Sequence, residues 1–148
     1  MRAKPVRLTV TGVAYNRNEE DEAMRLTTFG TLSGSPKQWK LRYTERQADG
    51  DEQHDIIMTM GEGVVTVARK GAFGSDMVFQ QGHRYEGSYR TPYGDLAMGI
   101  FPTQVDYKVN DDGAGEVNLR YQLDIQGRYP SVHKLDIAFE SSKPDDRA

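Results

Sequence analysis

The chain has 148 residues and no cysteine. That excludes a disulfide framework, a thiol nucleophile and a cysteine-based metal site. Apolar residues are scarce as well: the hydrophobic fraction is 36% and the mean hydropathy −0.72. A single domain of this length still buries roughly 68–70% of its unfolded surface. Strands that give every second residue to solvent reconcile the two. A basic excess is missing: the net charge is −3 and the pI about 5.6. Binding to a phosphate backbone calls for surplus Lys and Arg, so nucleic acid is not expected as the partner. Arg2 and Lys4 are followed by no apolar run, because residues 6–15 alternate with Arg7, Thr9 and Thr11. This is neither a secretory signal nor a membrane span, and the expectation is a soluble, cytoplasmic protein with no membrane partner.

What the chain does have is a period of two. Residues 64–109 read as five short strands, 64–70, 76–80, 84–90, 95–101 and 103–109, broken by Gly71 and Gly74, Gly82, Pro92-Tyr93-Gly94 and Pro102. Before them, Val6, Leu8, Val10 and Gly12 share one strand face. Residues 16–22, rich in Glu and Asp, read as a solvated hairpin turn, after which Met24, Leu26, Thr28, Gly30 and Leu32 resume the alternation. Trp39, Leu41 and Tyr43 lie opposite Lys40, Arg42 and Thr44, and Asp49-Gly50 reads as a turn before 56–60. After the central stretch, residues 110–115 form the strongest hairpin signal. Val117, Leu119, Tyr121, Leu123 and Ile125 then make the longest alternating run, and Leu135, Ile137 and Phe139 close the last strand. About ten strands at spacings near 8–12 residues, joined by hairpins, predict an all-β, antiparallel up-and-down barrel of about 8–10 strands, since closure removes exposed edges. Residues 1–140 form one domain in this reading, and 141–148 a charged tail that frays.

Ala68-Arg69-Lys70-Gly71, Phe79 and Gly82, the segment Tyr89-Arg90-Thr91-Pro92-Tyr93-Gly94-Asp95-Leu96, Thr103 and the closing residues 132–140 resemble the YwiB-like family of bacterial proteins. The resemblance covers roughly residues 4–140. It implies a small calycin-like β-barrel, similar in architecture to lipocalins, and supplies no mechanism, because the family carries no assigned activity.

Chemistry must then come from the residues. Arg69, Arg84 and Arg90 could cluster at a barrel mouth and hold an anion in a planar fork, or pair with Glu62, Glu86 or Asp95 on the surface. Arg69 leads the first reading because it precedes Gly71 at a strand end. Tyr85 and Tyr89 share parity with His83 and would add an amphipathic wall, or simply fill the core. His54, His83 and His133 lie on separate strands without a second ligand at metal spacing, so no metal is expected. No nucleophile elbow occurs, and no cofactor is implied. The stretches 56–60 and 95–101 are apolar on both parities. Either a terminal segment covers them or they form a homodimer interface.

Three functions follow. The first is binding of a small, partly apolar, anionic molecule at the barrel mouth by Arg69, Tyr85, Tyr89, Arg84, Arg90 and His83. The second is a protein–protein module with a packed interior. The third is an enzyme with a carboxylate–arginine site. An open cavity above about 300 Å³ favours the first.

Overall fold

The structure is a computed structural model that describes residues 3–16, 19–46, 53–71 and 74–142. Ten strands follow one another: β1 (Lys4–Asn16), β2 (Glu19–Ser35), β3 (Gln38–Arg46), β4 (Gln53–Gly61), β5 (Val64–Lys70), β6 (Gly74–Gln80), β7 (Tyr85–Thr91), β8 (Gly94–Val109), β9 (Gly115–Ile125) and β10 (Arg128–Ser141). They form a closed antiparallel barrel in which every neighbour in space is a neighbour in sequence, except that β1 pairs with β10. The described residues contain no helix.

The turns explain the simplicity of the path. Glu62-Gly63 and Gln126-Gly127 are two-residue links whose central residues all have positive φ, from 53° to 80°. This is the turn whose twist matches paired strands. Alternation then sets the two faces. Leu8, Leu41, Met58, Met60, Val65, Phe79, Ile100 and Leu119 are fully buried inside, while their sequence neighbours face outward.

Three expectations change in detail, and a fourth is not tested. Residues 19–22 belong to β2 rather than to a turn, paired with β1 up to Asn16↔Glu19. The predicted turn at Asp49-Gly50 lies outside the described residues. The two strands predicted at 95–101 and 103–109 are one strand, β8. Pro102 pairs with Tyr121 and Gln104 with Arg120, so Thr103 is an extra residue, a bulge. Pro102 cannot donate to the ladder, and a bulge is where a sheet tolerates it; its carbonyl accepts from Gly82 N at 2.9 Å. The bulge also resets the parity. Met98, Ile100 and Pro102 are buried before it, and Val105, Tyr107 and Val109 turn partly inward after it. Finally, Ser141 still pairs with Val6, and Ser142 N donates to Pro5 O at 3.0 Å. Residues 143–148 lie outside the described set.

One seam is thin. β6 and β7 share only the pairs Gly74↔Arg90 and Ser75↔Tyr89, with an isolated bridge at Gln80↔His83 near the turn.

Candidate functional site

Strand ends fix the site. Tyr43 and Glu45 end β3, Arg69 ends β5, Tyr121 lies late in β9 and His133 early in β10. All five therefore come to the same rim of the barrel, and their parity turns them inward. There a cavity of about 320 Å³ opens, walled by Val10, Gly12, Met24, Ile56, Val67, Met77 and Leu135, with Lys134 at its edge. Below it the barrel is filled, beginning with Phe79, whose ring meets Tyr121 edge-on at 4.9 Å and 64°. Gly12 leaves part of the room: a Cβ there would meet nothing nearer than Met24 Cε at 3.7 Å.

Arg69 is the charged centre. Its guanidinium pairs with Glu45 at 3.4 Å. Its charge also reaches both phenols. Burial pushes the Tyr43 hydroxyl well above its usual range, Glu45 adds to that rise, and Arg69 opposes it. Burial pushes Tyr121 up to about 12, again against Arg69. Both are neutral hydroxyl groups at physiological pH. His133 stacks on Tyr121 with centroids 5.2 Å apart and planes 8° from parallel, and its Nε2 hydrogen-bonds Ser131 Oγ at 2.7 Å. His54 is buried at the same end beneath Gly71, where a Cβ would come within 2.6 Å of its ring.

The six residues singled out from sequence fall in three places. Arg69 lines the cavity. Tyr85 and Tyr89 face inward and pack on the core, but neither lines the cavity; the Tyr85 ring lies over Gly87. Arg84, Arg90 and His83 are on the outside. Arg84 pairs with Glu86 at 3.2 Å and Asp124 at 3.1 Å, Arg90 pairs with Asp76 at 3.2 Å, and His83 is exposed in the β6–β7 turn. Of the surface partners expected for the arginines, Glu86 is used, and Glu45, Asp76 and Asp124 supply the others. Tyr43, Glu45, Tyr121 and His133 were not singled out as site residues. Their signal was parity: Glu45 continues the inward series Trp39, Leu41, Tyr43 to the strand end.

The doubly apolar stretch of β8 is covered in part by a side chain. Gly99 is buried beneath Arg84, Ile57 is half-buried, and Phe101 stays 36% exposed. Among the described residues no group of three His, Asp or Glu could hold a metal ion, and no helix is long and apolar enough to cross a membrane. Larger hollows exist elsewhere, one of about 510 Å³ on the outer surface around Arg42, Asp55 and Lys70, and one of about 460 Å³ at the opposite rim near Lys4 and Trp39. Of these three, the 320 Å³ cavity sets a charged pair beside Tyr43, Tyr121 and His133 inside the barrel.

No curated protein matches the chain. Among solved structures, the crystal structure of the YwiB protein from Bacillus subtilis superposes with a TM-score of 0.83 at 21% identity, covering 95% of this chain and 94% of that one. At that identity the likeness concerns the fold alone. Residues 8–137, from the first strand into the last, match the domain of unknown function DUF1934, and the chain belongs to that family.

Proposed function

We propose that the protein binds one small, partly apolar anion in the rim cavity. The observation that carries this reading is Arg69. A guanidinium at 31% side-chain exposure stands inside a barrel, among aliphatic and aromatic walls, with its Glu45 partner 3.4 Å away. That is longer than the roughly 2.7–2.9 Å of a charge-assisted hydrogen bond, so the pair leaves donor capacity for a ligand. The volume suits it too, since ligand pockets begin at about 300 Å³. The neutral phenols of Tyr43 and Tyr121 add donors without adding charge. The filled interior below Phe79 limits the ligand's length.

Fluorescence titration with 8-anilinonaphthalene-1-sulfonate, an amphipathic monoanion, tests the reading. The expected result is saturable binding at one site, weakened by about 1.5–3 kcal/mol in Arg69→Ala, the range for a hydrogen bond to a charged group. Gly12→Leu, which fills the cavity from a position with room for a side chain, should abolish binding without lowering Tm. Binding that is indifferent to both substitutions would remove the cavity from consideration. If the protein also sedimented as a dimer, the interaction-module reading would take its place.

A further inference from the structure

The Arg69–Glu45 contact has a particular form. Nη1 faces Oε1 and Nη2 faces Oε2, each at 3.4 Å. This is the fork-on-fork geometry of a guanidinium with a carboxylate, held open by about 0.5 Å relative to a tight pair. Glu45 pairs with His54 and Arg69 with Ile56, so β4 separates the two residues and their side chains meet across it on the inner face. Both side chains keep contact with solvent, Arg69 at 31% and Glu45 at 19%.

We infer that Glu45 stands where the ligand's own headgroup docks: the cavity takes a short monocarboxylate, which replaces Glu45 on the Arg69 fork while Glu45 turns toward the rim. This rests on the reading above that the cavity binds an amphipathic anion, and it names the anion's class. Two observations select a carboxylate. The two guanidinium nitrogens already face two oxygens of a planar group in the bidentate arrangement, so the template is on hand. The charge count points the same way. The Lys134 ammonium is engaged outside, over the Tyr15 ring at 5.2 Å, so Arg69 and Glu45 balance within the cavity and every negative charge a ligand brings is in excess. A monoanion adds the least. A phosphate dianion would leave a second negative charge uncompensated beside Glu45, where low dielectric makes that costly. The apolar remainder of the ligand would lie against Val10, Ile56, Val67, Met77 and Leu135.

Calorimetric titration of the full chain with octanoate, octyl phosphate and octanol separates the possibilities. Wild type is expected to bind octanoate more tightly than octyl phosphate or octanol. Glu45→Gln, which removes the competing charge and keeps the shape, should bind octanoate about tenfold more tightly, the equivalent of one charge-assisted hydrogen bond no longer contested. Octanol should not respond to the substitution. If Arg69→Ala weakens octanoate binding and Glu45→Gln leaves it unchanged or weaker, Glu45 is a plain structural partner and this inference falls while the binding reading stands. A preference for octyl phosphate also overturns it. No binding of octanoate, octyl phosphate or 8-anilinonaphthalene-1-sulfonate overturns both. Should Glu45→Gln fail to fold, the order of affinities in wild type decides alone.

Discussion

Arg84 lies across Gly99, with its guanidinium in the space that a Cβ on Gly99 would take. The side chain starts one residue before β7, crosses β8 at Gly99, and ends on Asp124 of β9 at 3.1 Å. Three strands are tied on the outer face by one arginine, and Asp124 with Glu86 raises its affinity for its proton.

Two glycine substitutions should therefore behave differently. Gly99→Ala displaces only the flexible tips of Arg84 and Asp124 and should change Tm by less than about 3 °C. Gly30→Ala meets the carbonyl oxygen of Arg42, which is backbone and cannot yield. Overpacking of that kind costs about 1–3 kcal/mol and, at about 2–4 °C per kcal/mol for a chain of this length, should lower Tm by up to about 12 °C. Thermal melts of the two variants side by side check the contrast.

Deleting Thr103 should abolish folding. Without the extra residue, Val105, Tyr107 and Val109 rotate to the outer face and their polar neighbours turn into the core, since a one-residue slip inverts a strand. Thr103→Gly keeps the count and should fold. Far-UV circular dichroism and soluble yield distinguish them, and a folded deletion variant would show that the bulge does not set the parity.

Alkaline stability should depend on the two rim phenols. Burial holds their folded-state pKa values above the usual phenol value of about 10, so between about pH 10 and 12 the folded chain holds protons that the unfolded chain has lost. Stability contributed by the neutral phenols is complete below pH 10 and declines as pH rises through that window. Tyr121→Phe should flatten the decline and remove a late step near pH 12 from the absorbance titration at 295 nm. An unchanged titration would mean that Tyr121 is not buried as described.

Acid stability should depend on Asp136. Burial pushes its carboxyl up, but hydrogen bonds from Asn118 and Arg120, both at 2.8 Å, and the charges of Arg120 and Lys134 prevail and hold it below the usual carboxylate range. A lowered pKa contributes stability above about pH 4 that is lost as pH falls through the folded-state value. Asp136→Asn should lower Tm slightly at pH 7 and make the fall of Tm toward pH 2 shallower. The group is 38% exposed, so the effect stays small.

The barrel was legible because alternation was nearly unbroken. Val64–Lys70 was bounded as observed, and the inward series through Leu41, Tyr43, Leu119 and Tyr121 is the core face itself. Pro102 misled, because a proline ends a central strand unless a bulge receives it, and a bulge marks the sequence only by the shift of phase from Ile100 to Val105. The site was harder. Arg69 could be placed at a rim because a strand end and Gly71 coincide. Its companions Glu45, Tyr121 and His133 lie on β3, β9 and β10, and which strand ends share a rim follows only from topology. Arg84 and Arg90 carry the same charge as Arg69, but parity sends them outward, where Asp124 and Asp76 meet them.

The pairing of β1 with β10 has a kinetic consequence. Every other ladder joins strands separated by at most six residues in sequence, so it can form as a hairpin, on the order of 1–10 μs. Val6 must find Ser141 across almost the whole chain. Loop-closure entropy grows only slowly with length, but it must be met before the contact returns anything. Refolding is therefore expected to pass through an open curl of hairpins that closes last at this ladder. Until then the curl presents two unsatisfied strand edges, which makes the yield of refolding fall with protein concentration.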